Sequence, residues 1–229
     1  MSKIVRIGGA TLNQIPFDWD NNVSNILGAI EAARKDGVKV LCLPELCITG
    51  YGCEDVFLSP WLSEKAFQKL LVIAPHCKDI AVSLGLPVRL DGDTYNGAAI
   101  VDNGKLKGIT LKQNLPRDGV HYEPRWFVPW KPNETRRIKT AGQDIAVGDL
   151  IYELEGLKVG FEICEDGWSK EKRPGYRLKE RGVELILNGS ASHFAFGKSK
   201  EREQSVVVEG SALFDCAYLF VNHLGNEAG

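Results

Sequence analysis

No stretch of this sequence is apolar for long enough to cross a bilayer, which takes about 20 consecutive apolar residues. The N-terminus, Met-Ser-Lys-Ile-Val-Arg-Ile, lacks the apolar core of a secretory signal. A basic excess is also missing. The 28 Lys and Arg stand against 30 Asp and Glu, a formal net charge of -2, so neither nucleic acid nor another polyanion is expected as a partner. Cysteine is sparse, with Cys42, Cys47, Cys53, Cys77, Cys164 and Cys216 making up the full set of 6. No Cys-x2-Cys pair occurs, which argues against a zinc site even where Cys42, Cys47 and Cys53 cluster. Without a secretory signal these residues read as reduced thiols of a cytoplasmic protein. No internal repeat, linker or low-complexity segment breaks the chain, so one domain spanning residues 1–229 is expected.

What is present fits a globular enzyme-sized unit. Apolar residues are 44% and charged residues 25%, and 229 residues can bury a core without disulfide staples. Strands are expected at Ile4–Leu12, Val38–Leu43 and Ile80–Leu86, the latter two as doubly covered apolar runs. A helix is expected over Asn22–Arg34, where Val23, Ile26, Leu27, Ile30 and Ala33 share one face and Asn21 or Asn22 supplies the cap. A second helix runs from the Ser59-Pro60 cap to Ala74. Asp102-Asn103-Gly104 turns a hairpin between Tyr95–Val101 and Lys105–Leu111. The polar region Gln113–Gly148, with Pro116, Pro124, Pro129 and Pro132, reads as a long functional loop. Another hairpin, Leu150–Leu154 with Leu157–Ile163, turns at Glu155-Gly156. Then come a helix near Gly175–Arg181, a strand Val183–Leu187, a helix Lys198–Phe214 and a last strand Cys216–His223. Helices alternating with strands and hairpins predict a mixed α/β layered domain. The abrupt end at Leu-Gly-Asn-Glu-Ala-Gly suggests a piece of a longer protein.

Three segments lie just beyond buried strands: Leu43-Pro44-Glu45, Leu111-Lys112-Gln113 and Ile163-Cys164-Glu165. Ligands of α/β sheets bind outside the carboxyl ends of strands, so a carboxylate, an ammonium and a thiol converging there make a plausible nucleophilic site. Lys112 would favour the Cys164 thiolate. Glu45 would take a proton and return it to a leaving amine. Lys112 and the backbone N–H after Cys164 would hold an oxyanion. Taken singly, each residue has a plainer meaning: a solvated or paired strand-end glutamate, a surface lysine, a buried structural thiol. Their joint occurrence with these flanks is what argues for chemistry.

Leu43-Pro44-Glu45-Leu46-Cys47-Ile48-Thr49-Gly50-Tyr51, Lys112-Gln113-Asn114-Leu115-Pro116 with Glu123 further on, and Ile163-Cys164-Glu165-Asp166-Gly167-Trp168 resemble the glutamate, lysine and cysteine motifs of the nitrilase superfamily of carbon–nitrogen hydrolases. The cysteine motif, together with Asn188-Gly189-Ser190-Ala191-Ser192 and Phe196-Gly197-Lys198 up to Arg202, is similar to the glutaminase domain of glutamine-dependent NAD synthetases. The resemblance covers essentially the whole chain. It implies a four-layer αββα sandwich. It also implies hydrolysis of the glutamine side-chain amide through a Cys164 thioester, with Glu45 and Lys112 catalytic and Glu123 in support. Tyr51, Glu165, Trp168, Ser190, Ser192, Lys198 and Arg202 are the implied substrate contacts. No cofactor is implied in this domain. ATP and Mg would belong to a C-terminal synthetase domain, whose Ser-Gly-Gly-x-Asp motif does not occur here and which would use the ammonia to amidate nicotinic acid adenine dinucleotide. Pairing into a homo-oligomer is implied as well.

Some features depart from that pattern or compete with it. Arg117-Asp118-Gly119 stands where some relatives carry an aromatic residue, a place Tyr122 or Trp126 could fill. His76, His121, His193 and His223 permit a Cys–His hydrolase instead. The run Lys170–Arg181 reads as a solvated basic helix face, and Trp126, Phe127 and Trp130 as local packing or an interface patch. A free-standing amidase acting on another small amide, or a non-catalytic interaction domain, are the alternatives.

Overall fold

The computed structural model describes residues 4–117, 121–140 and 142–224. Asp118 and Gly119 of the departing segment, and the terminal residues 225–229, lie outside them. Strands Ile7–Gly9 (β1), Val40–Cys42 (β2), Ala81–Leu90 (β3), Asp93–Asp102 (β4), Lys105–Leu111 (β5), Thr135–Thr140 (β6) and Gln143–Gly148 (β7) form one sheet in the order β1-β2-β3-β4-β5-β7-β6. Tyr152–Leu154 (β8), Leu157–Phe161 (β9), Leu185–Ser190 (β10) and Ala217–Asn222 (β11) form the other, in the order β11-β10-β9-β8. Helices Trp19–Lys35 (α1) and Pro60–Ile73 (α2) follow β1 and β2. On the second sheet, Gly175–Glu180 (α3) precedes β10, and Lys198–Glu201 (α4), a π-helical stretch Arg202–Val208 and Glu209–Phe214 (α5) run on without a break.

Apolar periodicity sets the layers. Val23, Ile26 and Ile30 of α1 and Ala66, Leu70 and Ile73 of α2 pack on Leu41, Val82, Leu84 and Val101 of the first sheet. The opposite face of that sheet, through Val40, Cys42, Ala98 and Ile100, meets Phe161, Leu185 and Leu187 of the second. Leu178 of α3 and Phe214 of α5 cover the far side with Ile186. This is the αββα sandwich the sequence resemblance implies.

Strand direction brings the site together. β2 runs parallel to β3, and β5 is antiparallel to β4, which is antiparallel to β3. β2 and β5 therefore end on the same edge, just before Glu45 and Lys112. In the second sheet β9, β10 and β11 are mutually parallel and deliver Cys164, Ala191 and His223 beyond their carboxyl ends.

Several expectations needed correction. Gln113–Gly148 is not one loop: β6 and β7 form a hairpin there, with Ile109 of β5 beside Val147. β6, Thr-Arg-Arg-Ile-Lys-Thr, is an exposed edge strand whose charges hide its strand character and discourage edge-to-edge pairing. β3 continues past Leu86 to a two-residue turn at Asp91 and Gly92, both at positive φ, as a type I′ hairpin requires. Pro87 is tolerated because β2 pairs only with Ala81–Ser83, which leaves that stretch of β3 one neighbour instead of two. The first strand shrinks to Ile7–Gly9. Helix α1 starts earlier than expected, with Asp18 at the cap position. Asn22 instead lies buried in the first turn and clips Ile15 through both its N–H (3.0 Å) and its carbonyl (2.8 Å). Ser59 precedes α2 as predicted but makes no side-chain cap bond. The run Lys170–Arg181 is not simply solvated, since Arg173 is 3% exposed and sits on the Glu162 carboxylate at 2.8 Å. Phe127 and Trp130 are core residues, while Trp126 donates to Asp55 at 2.9 Å.

Two glycines allow the sheets to close on the Glu45 segment. A Cβ on Gly85 of β3 would lie 2.2 Å from the Leu46 nitrogen and 2.7 Å from the Pro44 oxygen. A Cβ on Gly189 of β10 would lie 2.6 Å from the Leu43 oxygen. These obstacles are backbone atoms, which cannot rotate away. Gly85→Ala should therefore cost about 3 kcal/mol of stability or more, above the usual overpacking range, and lower the activity expected of the Glu45 segment beyond what the lost folded fraction explains. Chemical denaturation alongside activity per folded molecule measures both.

Candidate active site

Glu45 follows β2 in a sharp turn, with the next residue, Leu46, at φ +50°. Its carboxylate is buried and accepts hydrogen bonds on both oxygens. Oε1 accepts from Lys112 Nζ at 2.6 Å and from Asn96 Nδ2 at 2.8 Å, and Oε2 accepts from the Ala191 N–H at 2.9 Å. His223 Nε2 lies 2.6 Å from the Glu45 carbonyl oxygen and fixes the turn from the β11 side. Lys112 continues from β5, where its N–H bonds the Asn96 carbonyl at 2.9 Å. Its ammonium also reaches both oxygens of Glu123, at 2.8 and 2.9 Å. Neither the lysine nor the two glutamate side chains touch solvent.

Burial alone would push the Lys112 ammonium down, but Glu123 and then Glu45 outweigh it and hold the group well above its ordinary value. Burial raises the Glu123 carboxyl to about 7, against the pull of Lys112. Tyr51 donates to Glu123 Oε1 at 2.8 Å, and burial followed by the Glu123 charge drives its phenol up.

Cys164 sits at φ +45° in the turn between β9 and a short 3-10 helix, a conformation that non-glycine residues seldom hold except where surroundings enforce it. Asp166 is the enforcing group. Its Oδ2 accepts from the Ile163 N–H at 3.0 Å, while Oδ1 accepts from the N–H groups of Gln113 (3.2 Å) and Asn114 (2.8 Å) and from Asn114 Nδ2 (2.9 Å). One carboxylate thus ties the cysteine turn to the lysine strand end. Behind it, Arg173 clamps Glu162 and also donates to the carbonyls of Ser205 and Val206, within the π-helical stretch.

The expected thiolate is not what the site favours at rest. Burial, and next the Glu45 charge, raise the Cys164 thiol, and these outweigh the lowering by Lys112 and by the Ala191 amide. A neutral thiol beside a carboxylate needs that carboxylate to remove its proton as the sulfur attacks.

The other expected positions divide. Glu165 and Trp168 line an open cleft of about 810 Å³ together with Gln113, Asn114 and Leu115. Lys198 places Nζ 5.6 Å over the Trp168 ring, and Arg202 donates to Ser192 Oγ at 3.1 Å. Burial lowers both cations, and the neighbouring Arg202 charge lowers Lys198 further. Ser190 donates its hydroxyl to Asn188 Oδ1 at 2.7 Å, so it braces β10 instead of facing substrate. Of the aromatic substitutes, Tyr122 is 62% exposed and Trp126 is held by Asp55. His121 and His193 do approach the site, but neither replaces Glu45 or Lys112; they extend from Tyr51, with His121 Nδ1 3.1 Å from its hydroxyl oxygen. Asn96, Asp166 and the Ala191 amide were missed. Asp166 and Ala191 lie inside motifs already singled out in the sequence, but their roles, like that of Asn96, come from partners on other strands. Among the described residues, no group of three or more His, Cys, Asp or Glu side chains is placed to hold a metal ion.

The Glu123 carboxyl is raised from 4.5 to about 7 in the fold, so folding takes up a proton there. Its contribution to stability is therefore greatest below about 4.5 and fades as pH rises toward 7. The Tm of Glu123→Gln minus that of the wild type should rise across this window, and a flat difference would contradict the shift.

Comparison with known proteins places this geometry. The carbon-nitrogen hydrolase family model matches residues 6–229. The chain is similar to the glutamine-dependent NAD(+) synthetases of Dictyostelium discoideum, at 32% identity over 97% of this chain and 33% of that protein, and of Homo sapiens, at 32% over 91% of this chain and 31% of that protein. It thus spans about a third of the length of the curated relatives it matches. Among solved structures, a glutamine-dependent NAD(+) synthetase from Cytophaga hutchinsonii superposes with a TM-score of 0.91 at 52% identity, covering 98% of this chain and 37% of that one. An amidase from Nesterenkonia sp. shares the fold at 21% identity, with a TM-score of 0.75 over 96% of this chain and 76% of that one. The chain belongs to the carbon-nitrogen hydrolase family.

Proposed function

We propose that this domain hydrolyses the side-chain amide of glutamine to glutamate and ammonia through a thioester on Cys164. The observation that carries the reading is the buried Lys112 Nζ, 2.6 Å from Glu45 Oε1, with both charges acting on the Cys164 sulfur, while the flanking Gln113 and Glu165 line the open cleft. Glu45 takes the thiol proton as the sulfur adds to the amide carbon. Lys112 and the N–H following Cys164 stabilise the oxyanion, and Glu45 returns the proton to the leaving nitrogen. Water then enters by the same base and frees glutamate. Glu123 keeps Lys112 charged and fixed without touching the reacting atoms.

Arg202 is the best candidate for the α-carboxylate of glutamine: its Nε is buried without a hydrogen-bond partner, and a guanidinium can grip a carboxylate through two parallel bonds. Ser192 is hydrogen-bonded to Arg202, Lys198 stands over the Trp168 ring, Tyr51 donates to Glu123, and Glu165 with Trp168 forms the cleft wall. The hydrolysis needs no cofactor in this reading, since nucleophile, base and oxyanion donor are all protein groups. By analogy with the synthetase relatives, the ammonia passes to a synthetase domain, which uses ATP and Mg to amidate nicotinic acid adenine dinucleotide. A free-standing amidase is the competing reading, and the amidase-like fold alone favours it.

Cys164→Ala should abolish glutamate formation from glutamine while NAD synthesis from free ammonia persists in the native enzyme; retained glutaminase turnover would sink the assignment. Lys112→Ala should lower kcat by at least about a hundredfold, on the scale of a lost oxyanion donor. Steady-state kinetics over glutamine and a panel of small amides checks both, and preference for an unrelated amide would favour the free-standing amidase.

A further inference from the structure

The two oxygens of the Glu45 carboxylate keep different company. Oε1 accepts from Lys112 Nζ at 2.6 Å and from Asn96 Nδ2 at 2.8 Å. A carboxylate oxygen offers about two lone-pair sites, so Oε1 is full. Oε2 accepts from the Ala191 N–H at 2.9 Å, and no other donor meets it among the described residues. The open lone-pair site of this carboxylate is therefore on Oε2. The Ala191 N–H is also the backbone donor that lowers the Cys164 thiol. Oε2 and the sulfur thus share one donor and stand side by side.

Asn96 meets Glu45 from β4, and its amide can face the carboxylate only one way. A carboxylate oxygen accepts, so Nδ2 must point at it. That leaves Asn96 Oδ1 buried without a hydrogen-bond partner. A buried acceptor without a donor is destabilising, so the amide is better explained by what its N–H does to Glu45 than by folding. Protonating Oε1 would displace one of two buried donors. Protonating Oε2 displaces none. The titratable groups acting with Glu45 are Lys112, Glu123, Cys164, Tyr51 and His121, and His223 reaches its carbonyl oxygen.

We propose that Asn96 is a positioning residue which, with Lys112, locks Oε1 and reserves Oε2 of Glu45 as the atom that carries the proton in both half-reactions. The inference rests on the thioester reading above. In acylation the S–H bond breaks and its proton goes to Oε2 while the S–C bond forms. Oε2 then gives that proton to the amide nitrogen, the C–N bond breaks and ammonia leaves. In deacylation a water O–H bond breaks, its oxygen bonds the carbon and its proton goes to Oε2. The C–S bond breaks and the proton returns to the sulfur, giving the free acid and the thiol. Oε1 keeps both donors throughout, so the carboxylate does not turn between steps and Lys112 never loses its partner.

Asn96→Leu and Asn96→Asp, made in the native enzyme, test this through the pH profile of glutamate formation per folded molecule. Asn96→Leu is close in volume and cannot donate. Its kcat should fall by about tenfold at every pH, a fraction of what a positioned proton-transfer group supplies, with KM little changed. Asn96→Asp keeps the shape but donates to Oε1 only while the new carboxyl is protonated. Two carboxyl groups 2.8 Å apart hold a proton between them. This variant should therefore approach wild-type turnover at low pH and fall to the Asn96→Leu level as pH rises, a limb the wild type lacks. The other titratable neighbours are common to all three enzymes, so the new limb belongs to position 96. Asn96→Leu turnover at or above wild type would make Oε1 the working oxygen and overturn the proposal. An Asn96→Asp profile parallel to that of the wild type, as for a residue that only packs, would overturn it too. If Asn96→Leu does not fold, the Asn96→Asp limb decides alone. A wild-type control that forms no glutamate from glutamine would instead defeat the glutamine reading, and this assignment with it.

Discussion

A single buried ammonium organises this molecule. Lys112 has no contact with water and is neutralised by two carboxylates, Glu45 on one side and Glu123 on the other. Stripping one partner from such a cluster typically costs about 3–5 kcal/mol, because a charge is left buried without compensation. The arrangement therefore persists only if the scaffold holds all three groups at once. It does so by bringing the ends of β2 and β5 to one edge and using the β10 end, through the Ala191 amide, to occupy the last oxygen of Glu45. Replacing a buried ionic cluster with apolar residues of equal volume is often neutral for stability. Its presence thus points to chemistry more than to folding.

Cys164, the proposed nucleophile, is subordinate to that charge pattern. Cys164 stands in a strained turn, buried, with its thiol raised and not lowered. A thiol of this kind stays protonated until a base acts. Asp166 links the cysteine turn to the lysine strand end, so the relative position of sulfur and ammonium is set by one carboxylate bridging the two sheets' ends. The Glu162–Arg173 pair steadies the same turn from behind and at once satisfies carbonyls of the π-helical stretch.

The convergence of Glu45, Lys112 and Cys164 was legible in the sequence because each lies in a local motif at the end of an apolar strand run. The layered fold was legible for the same reason, since the helix faces and buried strands carry strong periodicity. Groups whose meaning depends on distant partners were not. His121 looks like any loop histidine until Tyr51 and His193 are brought to either side of it. Asn96 is an ordinary strand residue until it faces Glu45 across the sheet edge. β6 was unreadable because an edge strand open to solvent can carry Arg and Lys and lose the alternation that marks a strand. Ser190 misled because its neighbour Ser192 is the one that meets Arg202, while Ser190 turns its hydroxyl to Asn188.

The central claim is that the Cys164 sulfur, the Lys112 ammonium and the Glu45 carboxylate act on one amide carbon. A crystal structure of the native enzyme reacted with a glutamine-mimicking electrophile tests it most directly. The account predicts a covalent bond to the Cys164 sulfur, with the former carbonyl oxygen within hydrogen-bonding distance of Lys112 Nζ and Glu45 beside the leaving-group position. An adduct on any other cysteine, or one on Cys164 whose oxygen turns away from Lys112, would contradict it.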